Sequence, residues 1–278
     1  MLDDAANGES HAIGPRRKGH SMNGTERISA RLFVDTALDV PTLGLDAPRT
    51  HYLRHVLRLE KGDRIALFNG RDGEVAARIE GFGKTWASVA IEERRREQIA
   101  EPDVWFLFAP IKRARLDFMV EKATELGASA IWPVFTRHTI VTRVNNERLR
   151  ATAIEAAEQC ERLTIPKLLT ASTLDEALAT WPRERRLILC DESGAGGPIV
   201  DVLGKFDTNA PYAILTGPEG GFARAELDAL HDLPFVTPVG LGPRVLRADT
   251  AALAALAVFQ AVSHDRLRSP PPRFKPIG

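Results

Sequence analysis

The sequence predicts an α/β chain in which a small N-terminal β-barrel precedes a larger, mostly parallel α/β domain. Between Arg31 and about Ile91 the apolar runs are short and broken by turn signals, whereas after Pro102 apolar strands alternate with longer amphipathic helices. The charged run Glu92 to Glu97 (EERRRE) separates the two rhythms and places a boundary near residues 95 to 102. At 278 residues the chain exceeds one ordinary compact domain, so two domains are expected, with one large domain as the competing reading.

Residues 1–26 mix Gly, Ser, Asn, Pro and charge without hydrophobic period and read as a disordered tail. Met22 offers an alternative start, and the basic run Arg16, Arg17, Lys18 reads as solvated. The barrel is expected over 27–97, from RLFV, DRIALFNGRDGEVAARIEGF and KTWASVAIEE. Asn69-Gly70 and Asp72-Gly73 tolerate the positive backbone angles of a tight turn and signal a hairpin. His51 to Leu59 carries Leu53, Val56 and Leu57 at helical spacing, which predicts one short helix.

The α/β domain is expected over 102–268, followed by a Pro-rich tail at 269–278. VWFLFA (104–109), AIWPVF, LILC (187–190), YAILT (212–216) and FVTPV (235–239) read as strands, with Trp105 and Trp132 as core residues. Helices are predicted from the stripe Leu116, Met119, Val120, Ala123, Leu126, ending at Gly127, and over about 146–163, 223–233 and 249–267. The last is apolar on most sides and must be covered on more than one face, by internal burial or by a second subunit.

Lysine plus arginine (37) balances aspartate plus glutamate (37), so the global charge names no partner. Residues 111–150 nevertheless hold eight Lys/Arg against four Asp/Glu, a cluster that fits either a solvated face or RNA contact. Cys160 and Cys190 lie far apart without metal-ligand spacing, and His51, His55 and His138 lack a third ligand, so neither a disulfide nor a metal site is expected. No apolar run is long enough to span a bilayer and no secretory signal is seen, so a cytoplasmic protein is expected.

Two glycine-proline segments follow strands, where open α/β sheets place their ligands. Leu215-Thr216-Gly217-Pro218-Glu219-Gly220-Gly221-Phe222 leads into a helix; its glycines suit either close approach to a ligand or a tight turn. It lacks the GxGxxG and P-loop patterns, which leaves little for a nucleotide-phosphate reading. Gly240-Leu241-Gly242-Pro243-Arg244-Val245-Leu246-Arg247-Ala248-Asp249-Thr250 places two arginines around an apolar pair before the last helix, which Asp249 or Thr250 can cap.

In this order the two segments resemble the cofactor loops of the SPOUT methyltransferases, and LTGPEGGF and GLGPRVLRADTAALAAL resemble the RsmE family of 16S ribosomal RNA uridine-N3 methyltransferases in particular. The likeness extends through KRARLDFMVEKATELGASAIWPVFTRHTIV, AAEQCERLTIP and HYLRHVLRLEKGDRIALFNG, over about residues 27–265. It implies a PUA-like β-barrel for RNA, a SPOUT-type α/β domain with a C-terminal trefoil knot, and a homodimer acting on 16S rRNA in the small ribosomal subunit. It also implies S-adenosylmethionine bound among Leu189 and Cys190, the loop Leu215 to Gly221, and Leu241, Gly242, Arg244, Val245, Leu246 and Thr250. Two positions depart from the family: Ala223 replaces a common hydroxyl residue of a capping box with Glu226, and Ala248-Asp249 replaces a commoner Thr-Glu pair.

N3 of uracil is a poor nucleophile until its proton leaves, and a cation near the carbonyl oxygens favours the resulting anion. Arg244, Arg247 and Arg31, the last matching the family's RxF pattern, are the candidate cations. Glu219 is either a proton acceptor or a loop brace. Arg58, Arg113, Arg115, Arg137, His138 and Arg143 are the candidate RNA contacts. Competing functions are a ribose 2′-O methyltransferase, a non-catalytic RNA-binding protein and a phosphate-binding metabolic enzyme.

Overall fold

The computed structural model describes residues 27–207 and 210–262; the expected tails 1–26 and 269–278, and the end of the last predicted helix, lie outside them. The first unit is a five-stranded sheet in the order β1-β3-β4-β5-β2, built from β1 (Ile28–Phe33), β2 (Thr42–Leu45), β3 (Arg64–Phe68), β4 (Glu74–Phe82) and β5 (Ala87–Arg96). β1 and β3 run parallel; the other pairs are antiparallel. The β3–β4 hairpin turns where the sequence signals it: Gly70 and Gly73 take φ +78° and +76°, and the Asn69 side-chain oxygen accepts the Arg71 and Asp72 N–H groups. Leu32, Leu53, Ile65, Leu67, Ile79 and Val89 form the core of this unit.

One element differs from expectation. The helix predicted over 51–59 begins earlier, as α1 (Ala47–His51) with Asp46 capping the Arg49 N–H, and continues as a π-helical turn over Tyr52–Val56. The wider i→i+5 spacing, with Leu57 N–H bonded to Tyr52 C=O, turns Val56 outward to 58% exposure while Leu53 stays fully buried. β5 continues through the charged run to Arg96, and Arg95 and Arg96 both pair with buried Glu74.

The second unit is an eight-stranded sheet whose recorded pairs are all parallel. Its order is β11 (Gly197–Pro198), β13 (Val236–Gly240), β10 (Arg186–Cys190), β12 (Tyr212–Thr216), β6 (Val104–Phe108), β7 (Ala130–Phe135) and β8 (Lys167–Leu168), with β9 (Ser172–Thr173) on β7. Strand alternation divides the core. Phe106, Phe108, Ile188 and Ile214 meet α2 (Arg113–Glu125), α3 (Asn146–Cys160), α5 (Ile199–Leu203) and α7 (Ala248–Val262) on one face. Leu107, Leu187, Leu189, Ala213 and Leu215 meet α4 (Leu174–Ala179) and α6 (Arg224–His231) on the other. Trp105 and Trp132 pack there with Trp181 and Phe235.

The strand order matters for the site. β13, β10 and β12 are neighbours and parallel, so the loops leaving their C-terminal ends emerge side by side.

Candidate functional site

Those three loops enclose a cavity of about 570 Å³, in the range of small-molecule and cofactor pockets, roughly 300–1,000 Å³. Cys190 to Pro198 contribute from β10, Thr216 to Gly221 from β12, and Gly240 to Leu246 from β13, closed by Ala248 and Ala251 at the start of α7. The loops are bound to one another. Glu192 accepts the Phe222 N–H at 2.8 Å, joining the β10 and β12 loops. His138, beyond β7, places Nδ1 3.1 Å from Gly221 O and 3.3 Å from Gly220 O, so this nitrogen must carry a proton. Glu226 accepts the Arg137 N–H with one oxygen and the Ala223 N–H with the other, each at 2.8 Å. With alanine at 223 the side-chain half of the capping box is missing.

Backbone crowding explains the glycines. A Cβ on Gly196 would sit 2.5 Å from Val239 backbone atoms, and one on Gly217 2.8 Å from the Phe222 ring. Gly221 and Gly242 take φ +69° and +114°. Among the described residues, the buried Thr216 hydroxyl beside the cavity has no hydrogen-bond partner. A buried orphan of this kind calls for an occupant with polar groups. Asp191, also at the wall, is held below the usual carboxylate range: burial pushes it up, but hydrogen bonds from Ser193 and His231 outweigh it. Full burial pushes the Cys190 thiol up to about 12, which leaves it neutral and excludes a nucleophilic thiolate there.

Most of the residues singled out in the sequence meet at this cavity: Cys190, Thr216, Gly217, Pro218, Glu219, Gly221, Leu241, Gly242, Arg244, Val245 and Leu246. Leu189 and Leu215 do not. They are fully buried on the opposite face of the sheet, because side chains alternate along a strand and Cys190 and Thr216 take the cavity side. Gly220, next to His138, and Thr250, in the first turn of α7, are not part of the lining. Neither Asp249 nor Thr250 precedes α7, which already begins at Ala248. Sequence reading stopped one residue short of Asp191-Glu192-Ser193-Gly194-Ala195-Gly196-Gly197-Pro198. Its glycines after a strand are the same signal as in the other two loops.

Arg31 stands apart from the cavity lining. It lies between the two units, 9% exposed, with Nε 2.5 Å from Glu74 and its terminal nitrogens donating to Ala157 O and Arg162 O at 2.6 Å. With three of its donors so committed, Arg31 is not among the residues that line the cavity. Arg244 lines the cavity and is exposed; Arg247 is exposed but is not part of the wall. Around the rim, Arg115 pairs with Glu219 at 3.0 Å and approaches Asp249 at 3.9 Å. Arg137, His138 and Arg143 are exposed. Arg58 is exposed on the barrel at φ +56°, and the side chain of Arg113 lies outside the described residues. No cluster of three or more metal-ligating side chains occurs among the described residues.

Comparison with known proteins matches residues 99–260 to the RNA methyltransferase domain and residues 45–91 to the RNA methyltransferase PUA domain. The chain is 35% identical over 230 residues to the ribosomal RNA small subunit methyltransferase E of Rickettsia conorii, covering 83% of this chain and 92% of the relative. It is 27% identical over 245 residues to the Bacillus subtilis protein of that name, covering 84% and 95%. The crystal structure of the Neisseria gonorrhoeae protein of the same name, bound to S-adenosyl methionine, matches with a TM-score of 0.75 and 29% identity over 84% of this chain and 98% of that one. Barrel, parallel sheet and three-loop cavity together define an RNA methyltransferase with an attached PUA domain. The chain belongs to the ribosomal RNA small subunit methyltransferase E family.

Proposed function

We propose that this protein methylates N3 of a uridine in 16S rRNA of the small ribosomal subunit, with S-adenosylmethionine as methyl donor, in the cytoplasm and as a homodimer. The observation that carries the reading is the convergence of three glycine-bearing strand ends on one cavity containing the orphaned Thr216 hydroxyl. The residues suit a nucleoside-bearing cofactor: apolar Leu241, Val245, Leu246 and Ala251 for a ring, and backbone groups at Gly217, Gly221 and Gly242 that a ligand can approach closely. The trefoil threading implied by the family resemblance belongs to the same proposal.

When bound, the cofactor supplies an electrophilic methyl group, and alignment and activation of the base fall to the protein. Arg244, exposed and part of the cavity lining, is the first candidate to hold the uracil oxygens and favour the N3 anion. Arg247 is the second candidate. Glu219 lines the cavity and pairs with Arg115, which supports the loop-brace role beside that of a proton acceptor. Arg115, which pairs with the cavity residue Glu219, and the exposed Arg137, His138 and Arg143 are the candidate contacts for phosphates of an approaching strand, with Arg58 and Arg113 as further candidates. Val245, 92% exposed beside the cavity, gains cover when a second copy completes the site. Binding of S-adenosylmethionine, measured by calorimetry and competed by S-adenosylhomocysteine but not ATP, tests the cavity assignment. A chain that binds neither compound contradicts it.

A further inference from the structure

Arg31 bonds to both units. Its Nε donates to Glu74 on β4, and its guanidinium carbon lies 3.7 Å from the centre of the Phe68 ring on β3. Glu74 is 1% exposed and also receives Arg95 and Arg96, so the barrel holds the Arg31 fork rigidly from behind. The two terminal nitrogens cross to the other unit. They reach the carbonyls of Ala157 and Arg162, at the end of α3, where the chain leaves the helix through Glu161 at φ +63°. Ala157 carries one of the last four carbonyls of α3, at the negative end of the helix, where the Cys160 thiol also donates to it at 4.0 Å. Arg31 therefore caps a helix of the α/β unit from the barrel.

Neighbouring contacts support the same joint. The Phe33 N–H donates to Glu158 at 2.9 Å, Phe33, Phe68, Ala157 and Leu163 form an apolar cluster across the boundary, and Arg150 pairs with Asp35. α3 packs on α2, which carries Arg115 to the cavity rim, and α2 packs on α7, which supplies Ala248 and Ala251 to the wall. Three packed helices thus connect the joint to the cavity wall.

We infer that Arg31 is a positioning residue for the RNA substrate: it fixes the barrel so that RNA held there meets the cofactor cavity in register. The inference rests on the methyltransferase reading above. Two surfaces that grip one ligand gain from a fixed, matching spacing, because the second contact then forms at a higher effective concentration and with less ordering to lose. Loosening the joint weakens substrate capture and leaves the chemistry and the cofactor pocket intact.

The test compares wild type with Arg31→Met and Arg31→Lys. Steady-state methyl transfer uses small subunits that lack the modification, subunit affinity is measured by sedimentation, S-adenosylmethionine affinity by calorimetry, and folding by circular dichroism. Arg31→Lys keeps a cation for Glu74, but one ammonium does not span both carbonyls, so it remains informative where Arg31→Met fails to fold. The expected result for either variant is a KM for subunits raised roughly tenfold or more, with kcat and cofactor affinity changed by less than about twofold. An unchanged KM overturns the inference. So does a large fall in kcat at constant KM, which marks a catalytic cation, or a parallel loss of cofactor affinity, which marks general destabilisation. A wild-type chain that binds subunits but transfers no methyl group defeats the activity instead, and the effect of Arg31 is then read from subunit affinity.

Discussion

The Glu192 carboxylate accepts the Phe222 N–H at 2.8 Å, and the same oxygen lies 2.6 Å from where a Cβ on Gly221 would stand. One side chain thus holds two of the three cavity loops together at their closest approach. A charge-assisted bond of this kind contributes on the order of 1.5–3 kcal/mol when well formed. Glu192→Ala is expected to weaken S-adenosylmethionine binding by about tenfold and to lower the melting temperature by several degrees. Glu192→Gln, which keeps the acceptor oxygen, loses less. Calorimetry decides the matter, and equal affinities for all three proteins would show that the loops need no tie.

Gly196 faces the Val239 backbone with no room for a methyl group, whereas Gly44 on β2 has nothing within 4 Å of its added Cβ. Gly196→Ala forces backbone to move and is expected to cost about 1–3 kcal/mol and to displace the β10 loop from the cavity. Gly44→Ala serves as the tolerated control. Denaturant unfolding of the two variants separates crowding at Gly196 from a general dislike of alanine.

The sequence revealed the order of elements because each rests on a local signal. The Asn69-Gly70 turn, the Leu116 to Leu126 stripe and the apolar strands after Pro102 depend on periodicities that tertiary contacts reinforce. Two of the three cavity loops were legible for the same reason, as glycines at strand ends. What escaped was long-range. No local pattern tells that Arg31 spends its donors on Ala157 and Arg162, more than a hundred residues away. Nor does one show that Glu219 faces Arg115. Leu189 and Leu215 are a different case: simple alternation from Cys190 and Thr216 already places them on the far face.

Ala223 leaves the first turn of α6 with only the Glu226 half of its capping box. Ala223→Ser restores the missing acceptor for the helix N–H groups. It is expected to add about 1 kcal/mol, read as a higher melting temperature, with methyl transfer unchanged. A destabilised variant would mean that the hydroxyl finds no room at this turn.

Glu158 at the joint between the two units is pushed above the ordinary carboxylate range, burial outweighing its hydrogen bond from Phe33 and the pull of Arg49 and Arg31. The folded protein therefore binds this proton more readily than the unfolded chain does. The stability tied to it is present at low pH and lost as pH rises through the folded value. Glu158→Gln keeps an acceptor for the Phe33 N–H without the charge. It is expected to be more stable than wild type at pH 8, with the advantage shrinking toward pH 4.5. Urea unfolding at the two pH values gives the comparison, and a difference independent of pH contradicts the assignment.

The most direct measurement of the whole account is methyl transfer from labelled S-adenosylmethionine to small ribosomal subunits that lack the modification, followed by mass spectrometry of the nucleosides. A uridine-N3 methyltransferase puts label in 3-methyluridine from 16S rRNA, and Arg244→Ala loses it. Label in a 2′-O-methyl nucleoside, or none in RNA at all, would contradict that activity.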